Sequence, residues 1–209
     1  MNHLLNEEQF PAGFLPAWFE ARRRHALEQA EQLPEPSRHM ESWRFGAPGN
    51  ESLEHVEAAP PAAPETLAPI IRERASMPEA LRIVYANGLP VSIPEELPEG
   101  LSVMDMEDFV LQCPDTARKY LETETETLGS EKLSALATAF QHNGLVIMAD
   151  REISLPLEIL HFISGDNVAV FPSTLLIAKT GSRLRILERH ISADHGRQFR
   201  SEERRVGKE

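Results

Sequence analysis

Four histidines are the side chains that most suggest a metal site in this sequence: His142, His161, His190 and His195. Imidazole nitrogens bind first-row metals, but transition-metal sites need three or four converging ligands. His142 lies in a turn that ends a helix, and His161 lies inside an apolar strand, where a histidine is more often packed in the core than bound to a metal. His190 and His195 lie five residues apart in HISADH, with no third ligand at an obvious spacing. We therefore predict no metal-binding residue among them.

Carboxylates and a thiol are the other groups that could do chemistry. Three glutamates are expected to be exposed residues of strands or turns, and a carboxylate pair among them stays open: Glu152, Glu158 and Glu188. The single cysteine, Cys113, continues an apolar helical stripe and directly precedes Pro114. We expect it to be a small packed hydrophobic side chain rather than a sulfur carrier or a metal ligand.

Motifs for nucleotide binding and hydrolysis are absent from the sequence. It has no Gly-x-Gly-x-x-Gly fingerprint, no Walker A loop, no Gly-x-Ser-x-Gly elbow and no His-Glu-x-x-His pair. Each of these motifs places its reactive groups at a spacing that the chemistry requires, so their absence argues against nucleotide hydrolysis by this chain. We predict no catalytic and no cofactor-binding residue here.

The elements that would position these side chains are a short helix and five strands. Leu133, Leu136, Ala137 and Phe140 recur at i, i+3, i+4 and i+7, which predicts a helix with one buried face. Short apolar runs separated by turn residues then predict the strands: Leu145–Ala149, Leu157–Ile163, Val168–Phe171, Thr174–Ala178 and Arg183–Glu188. Gaps this short leave no room for crossover helices, so a meander, a sandwich or a coiled β-solenoid stays open.

Fewer elements are predicted in the first half of the chain. Pro16 can begin a helix, because the first helical position does not need its missing N–H. Leu81–Ala86 and Leu89–Ile93 flank an Asn-Gly pair, which predicts a hairpin. Leu101–Met104 is a further short strand, and Asp105 after it is a suitable N-cap for the next helix.

Composition divides the chain into five segments. One of them, rich in Pro, Ala and Glu, cannot bury enough apolar surface to offset the cost of ordering, which predicts a flexible linker. In order, the segments are a helical amino-terminal region (1–45), this linker (46–78), a small α+β segment (79–128), a strand-rich core (129–199) and a terminal tail (200–209).

The terminal tail reads RSEERRVGKE, which is the translation, in order, of a common sequencing-adapter oligonucleotide. A chance match of ten ordered residues is far rarer than contamination of a sequencing read. We therefore predict that residues 200–209 are not native and that the authentic sequence ends near Phe199.

Length, charge and composition restrict the class of protein. The chain has 209 residues, a formal net charge of −12 and 41% hydrophobic residues. The acidic balance argues against nucleic-acid binding, and no apolar run approaches the length of a membrane span. A single cysteine excludes an internal disulfide framework, and the first residues lack the pattern of a signal peptide. We expect a cytoplasmic protein that binds neither nucleic acid nor membranes.

Five pieces of the sequence, read in order, resemble the SufB/SufD family, and the chain is most similar to the SufD type. The pieces are Glu41–Phe45 (E-S-W-R-F), Val84–Gly88 (V-Y-A-N-G), Ala139–Gly144 (A-F-x-x-x-G), Leu155–Glu158 (a Pro before an apolar run) and Gly181–Glu188 (G-S-x-L-x-I-L-E). One departure is Ser173 after Pro172, where the family often has a basic residue.

The resemblance implies an α+β fold, with a helical amino-terminal region followed by the first coils of a right-handed parallel β-helix, a truncated solenoid. It implies a non-catalytic scaffold subunit of iron–sulfur cluster assembly. No cofactor is then bound by this fragment, because the cluster forms on the full complex. The implied partners of the full-length protein are a SufB-like subunit, paired along the β-helix, and a SufC-like ATPase. The family's cluster-related residues lie in a carboxy-terminal half that this sequence does not contain.

Two other functions stay open. A β-solenoid or cupin-like small-molecule enzyme would need inward-pointing His and Glu side chains on strands, and His161 is the only one of the four histidines predicted to lie within a strand. A protein-interaction module unrelated to iron and sulfur is the other alternative. A solenoid cut within the core would also leave unpaired strand edges near Arg183–His190, so we expect Met1–Phe199 alone to be prone to aggregation.

Overall fold

The computed structural model describes residues 15–44, 53–62, 64–122, 130–141, 144–201 and 203–208. Within these ranges the chain is a mixed α/β protein. Its helices are α1 (Ala17–Gln32), α2 (Pro64–Arg74), α3 (Met106–Gln112), α4 (Pro114–Leu121) and α5 (Glu131–Ala139). Its first strands are β1 (Glu57–Ala58), β2 (Leu81–Ala86), β3 (Leu89–Ser92), β4 (Leu101–Asp105) and β5 (Leu145–Ala149). The remaining strands are β6 (Leu157–Ile163), β7 (Val168–Val170), β8 (Ser173–Ala178), β9 (Ile186–Ser192), β10 (Gln198–Arg200) and β11 (Glu203–Lys208).

The described strands form three sheets, none of which closes into a barrel. We name them after a central strand: the β5 sheet (order β11-β8-β5-β4), the β6 sheet (order β3-β2-β6-β9) and the β7 sheet (order β1-β7-β10). The pairs β2–β3 and β4–β5 are antiparallel, and the other pairs are parallel.

Parallel partners in the second half of the chain recur at a nearly constant distance in sequence. Strands β8 to β11 each pair with a strand whose residues lie 29 or 30 positions earlier: Leu145 with Thr174, Leu157 with Ile186, Val168 with Gln198 and Ser173 with Glu203. Strands β5, β6 and β7 therefore lie in the β5, β6 and β7 sheets in turn, and strands β8, β9 and β10 add a further strand to each sheet in the same order. Strand β11 then returns to the β5 sheet.

A shared apolar core lies between the β5 sheet and the β6 sheet. Its buried members come from both: Ile83, Leu145, Ile147, Leu157 and Ile159. Because side chains alternate along a strand, every second residue of β5 and of β6 enters this core. The same alternation directs His161, two residues after Ile159, toward the space between the sheets.

Several predicted elements are confirmed. Strands β5 and β6 have the predicted bounds, and β2 and β3 form the predicted hairpin, with Asn87 and Gly88 both at positive φ (50° and 82°). The predicted cap is also present, since Asp105 Oδ1 accepts a hydrogen bond from the Asp108 amide at 2.7 Å. Cys113 is half-buried beside the apolar cluster of α3 and α4, as expected for a packed side chain.

The last predicted strand is displaced. The sequence predicted Arg183–Glu188, whereas β9 runs from Ile186 to Ser192. Arg183 makes only an isolated bridge with Glu152, just after the turn at Gly181. Residues 186–192 instead pair along the whole of β6. The partner strand therefore sets the bounds of β9, and local composition does not.

The linker prediction for 46–78 is wrong for part of the segment. Helix α2 lies within it, and Leu67 is buried against Val84, Leu160 and Phe162 on the outer face of the β6 sheet. Ile70 and Ile71 pack on the same cluster. A short apolar stripe spaced for a helix was hidden by the surrounding Pro, Ala and Glu residues, and its burial against the sheet offsets the cost of ordering it.

Helix α1 begins after Pro16 as predicted and packs against α5. One charged residue of α1, Arg23, is fully buried. Its Nε donates to the Ala139 carbonyl at 2.9 Å, and its Nη1 lies 3.1 Å from Glu20 Oε1. Burial lowers the pKa of the Arg23 guanidinium, and the Glu20 charge opposes that shift. The arginine joins the two helices through the end of α5.

Several predictions remain untested, and one helix was missed. Helix α4 was not predicted. Phe45, His142 and the TETET segment (123–127) lie outside the described residues. Residues 203–208 form β11, parallel to β8. The proposed adapter origin of the tail and the five-segment division remain predictions.

Candidate functional site

Strand register brings two histidines side by side. His161 on β6 is the Cα partner of His190 on the parallel strand β9, and Tyr85 on β2 is the partner of His161 from the other side. The two imidazole rings stack with centroids 4.6 Å apart and an interplanar angle of 8°, and the Tyr85 ring follows at 5.6 Å. Three rings therefore form a row across the β6 sheet.

A carboxylate reaches this row from β9. Glu188 precedes His190 by two residues and therefore projects from the same face of the strand. Glu188 Oε1 lies 2.8 Å from His161 Nε2 and 3.8 Å from His190 Nε2. The shorter distance is a hydrogen bond when His161 Nε2 carries the proton. The Thr174 hydroxyl, from β8 in the β5 sheet, donates to the same oxygen at 3.3 Å.

The cluster is shielded from solvent. The exposed fractions of the side chains are 6% for His161, 10% for Glu188 and 15% for His190. It extends the apolar core between the two sheets, where a buried charge is costly unless it is paired or bound to a metal. The most exposed member, His190, lies on the edge strand of the sheet as described, but both of its ring nitrogens are buried.

Tyr85 adds a buried phenol to the same row. The residue is 1% exposed, and its hydroxyl has no hydrogen-bond partner among the described residues. Burial, and then the negative charge of Asp105, raise the pKa of the Tyr85 hydroxyl well above its usual range. The phenol is therefore neutral at physiological pH and able to donate a hydrogen bond next to His161.

Two imidazoles and one carboxylate are a donor set that metals use. The ligand atoms of His161, Glu188 and His190 all lie within 4.8 Å of one another. Two histidines with one carboxylate hold zinc in some hydrolytic enzymes and iron in the non-haem oxygenases. Without a metal, the same atoms form a buried hydrogen-bonded pair, His161 with Glu188, placed against a second imidazole.

The other predicted chemical residues do not join this cluster. His195 is exposed, in the bend after β9. Glu152 is exposed as predicted, with its carboxylate 3.6 Å from Arg183. The prediction of an exposed residue is wrong for Glu158, which is fully buried, and for Glu188, which is half-buried. No carboxylate pair forms between Glu158 and Glu188, because alternation along the strands places them on opposite faces of the β6 sheet.

Glu158 belongs to a separate polar contact. Its Oε1 accepts hydrogen bonds from the Ser76 amide and hydroxyl at 2.8 and 2.7 Å, and its Oε2 lies 2.9 Å from Arg82 Nη2. Burial acts to raise the pKa of the Glu158 carboxyl, but the hydrogen bonds from Ser76 and Arg82 outweigh it and hold the pKa below its ordinary value. The contact fixes the chain after α2 to the outer face of the sheet.

Sequence reasoning missed the cluster for an identifiable reason. Because the predicted strand ended at Glu188, His190 lay outside it and was considered with His195 rather than with His161. The sequence did contain a signal. When it is aligned with itself at an offset of 29 residues, His161 aligns with His190 and Leu157 aligns with Ile186. Such a shift is informative only once parallel pairing at that offset is known.

Comparison with known proteins gives a relative that covers most of this chain. The chain is similar to the iron–sulfur cluster assembly protein SufD of Bacillus subtilis (strain 168), with 24% identity over 187 residues. The similarity covers 85% of this chain and 42% of the relative, so the chain spans less than half of the relative's length. No family model matches the chain. The similarity supports the resemblance to the SufB/SufD family. In the described residues, no helix is both long and apolar enough to cross a membrane.

Proposed function

We propose that this chain is a SufD-like component of iron–sulfur cluster assembly. The observation that carries the proposal is the similarity to SufD over 85% of the chain. In this role the chain is a scaffold rather than an enzyme. It acts in the cytoplasm with a SufB-like subunit and a SufC-like ATPase, and the cluster forms on the full complex.

The architecture proposed for the second half is the start of a right-handed parallel β-helix. One turn of such a solenoid returns the chain to the same sheet after a fixed number of residues, and the pairings at 29 and 30 residues supply this regularity. A right-handed winding is favoured because connections between parallel strands of one sheet are almost always right-handed. The stacked strands would offer a straight edge for pairing with a similar subunit.

A genetic experiment tests the assembly role. We expect that deletion of the gene lowers the activity of enzymes that contain iron–sulfur clusters, while the activity of a cluster-free dehydrogenase in the same extract is unchanged. An affinity-tagged product of the intact gene should co-purify with SufB-like and SufC-like proteins. Normal cluster-enzyme activity in the deletion strain, together with no such partners, would overturn the proposal.

A small-molecule enzyme is the second candidate, and the structure supplies a specific reason to keep it. That function requires inward-pointing His and Glu side chains on strands, and His161, Glu188 and His190 satisfy this requirement. The two candidates differ in what a Glu188→Gln substitution does in the intact gene. An enzyme loses turnover of a substrate, whereas an assembly scaffold still co-purifies with its partners.

A further inference from the structure

We propose that His161, Glu188 and His190 bind one divalent first-row metal ion, such as Zn²⁺ or Fe²⁺. The ion would be held by the Nε2 atoms of the two histidines and by Oε1 of the glutamate. This inference rests on the described side chains alone and does not depend on the proposed role in cluster assembly.

The distances from the carboxylate oxygen to the two imidazole nitrogens fit a shared metal ion. Bonds of about 2.0–2.1 Å in a tetrahedral site place neighbouring ligand atoms about 3.3 Å apart. Glu188 Oε1 lies 2.8 Å from one imidazole nitrogen and 3.8 Å from the other, so the two distances fall on either side of that value. A small rotation of the carboxylate, which would replace its hydrogen bond to His161 with a metal bond, makes them equal.

The surroundings hold the three ligands in place. Both histidines lie in paired strands at matching register, which keeps the two imidazoles side by side. Their rings are stacked and nearly parallel at 8°, so one imidazole must turn about its side-chain torsions before both Nε2 lone pairs, which lie in the ring planes, converge on one ion. The Thr174 hydroxyl donates to Glu188 Oε1 from the facing sheet, which is the kind of outer contact that orients a metal-bound carboxylate. Thr174 is thus a positioning residue rather than a ligand.

Three protein ligands leave a fourth position for another molecule. In zinc sites with three protein ligands, that position takes water or a substrate oxygen. Here both ring nitrogens of His190 are buried, and Tyr85, with a buried, neutral hydroxyl, lies next to His161, so the space around the ion is enclosed. We therefore infer that the ligand of the bound ion is a small oxygen donor rather than a macromolecule.

Metal titration of the full 209-residue chain tests the site. Purified protein is stripped with a chelator, and Zn²⁺ binding is measured by calorimetry, with Co²⁺ absorption in the visible region as a report of coordination by nitrogen and oxygen. We expect one ion per chain. Loss of a direct ligand should weaken binding at least as much as loss of an outer contact, which costs about 10–100-fold. His190→Gln and Glu188→Gln are therefore expected to weaken Zn²⁺ binding by about 100-fold or more.

The matched control is His195→Gln, since His195 is exposed and lies outside the cluster on the same stretch of chain. Circular dichroism of each variant confirms that it remains folded, and the partly exposed His190 tolerates substitution better than the buried His161. Two results would overturn the proposal. One is the absence of a Zn²⁺ site in the wild-type chain, and the other is an affinity that falls equally in His195→Gln and His190→Gln.

Discussion

Two glutamates on neighbouring strands show how the environment of a single residue decides its role. Glu158 on β6 faces the outer side of the sheet and is held by Ser76 and Arg82. Glu188 on β9 faces the interior and meets two imidazoles and a threonine hydroxyl. The first has a fixed partner for its charge, so its role is structural. The second lies among groups that can share a metal.

The first prediction concerns Glu158→Gln and its dependence on pH. The pKa of Glu158 is lowered in the folded chain, where burial opposes the shift and the bonds from Ser76 and Arg82 outweigh it. Its contribution to stability is therefore complete above the unfolded pKa of about 4.3 and is lost as pH falls through the lower folded pKa. We expect the substitution to lower the free energy of unfolding by about 1–3 kcal/mol at pH 7, because it removes hydrogen bonds to a charged group.

Urea unfolding at neutral pH and at about pH 3.5 measures this effect above and below the unfolded carboxyl pKa of about 4.3. The difference between wild type and Glu158→Gln should shrink at the acidic pH. Glu152→Gln is the control, since Glu152 is exposed and its loss should change the free energy of unfolding by less than about 0.5 kcal/mol. A difference that stays constant over this range would contradict the assignment.

Helix α2 shows what is decided at the scale of an element. Its composition is that of a linker, and a proline, Pro69, lies inside it. Isolated helices of its length are marginal in water, so its stability comes from packing. Leu67, 1% exposed, supplies that packing by contact with the cluster on the outer face of the β6 sheet. The helix also precedes Ser76, whose contact with Glu158 fixes the chain on the same face.

Leu67→Ala tests whether α2 is part of the fold. Truncating a fully buried leucine leaves a cavity, and we expect the free energy of unfolding to fall by about 2–5 kcal/mol. Leu111→Ala is the matched control, because it makes the same chemical change at a residue that is 51% exposed. Chemical denaturation of both variants gives the comparison. Equal small effects at the two positions would restore the interpretation of this segment as a flexible linker.

At the scale of the whole molecule, the open sheets expose strand edges. In the described structure β9 is an edge strand of the β6 sheet, and its Leu187 is 38% exposed. Strand β8 pairs with β5 on one side and with β11 on the other. Strand β11 lies in the tail, residues 200–209, which is predicted to be an adapter translation. Unpaired edges with apolar side chains promote association between chains.

We therefore expect Met1–Phe199 to self-associate at micromolar concentration. This shortened chain lacks β11, so the outer edge of β8 is unpaired, as the outer edge of β9 already is. Light scattering coupled to size-exclusion chromatography measures the mass. Leu187→Lys should reduce the association, since a charge on an edge strand opposes pairing. A monomer that melts sharply and reversibly in one step would contradict this expectation.

The amino-acid sequence by itself determined the elements that depend on local pattern. Alternating or continuous apolar runs defined β5 and β6, the Asn-Gly pair defined the β2–β3 hairpin, and Asp105 defined the start of α3. These features depend on residues within a few positions of one another, so the printed sequence contains the physical reason for each. The predicted face of α5 is right only in part: Leu136, Ala137 and Phe140 are buried, but Leu133 is half-buried and Lys132 and Ala135 are buried as well.

Tertiary structure alone decided which distant strands are neighbours, and with them the candidate site. His161, Glu188 and His190 meet because β9 pairs with β6 at an offset of 29 residues. The residues around His190 contain no local signal for that offset. The same pairing also places β9 at Ile186–Ser192 rather than at the predicted Arg183–Glu188. Burial of Glu158 and the folding of α2 likewise depend on surfaces formed elsewhere in the chain. Local periodicity predicts which face of a strand is apolar, but only long-range pairing places one side chain beside another.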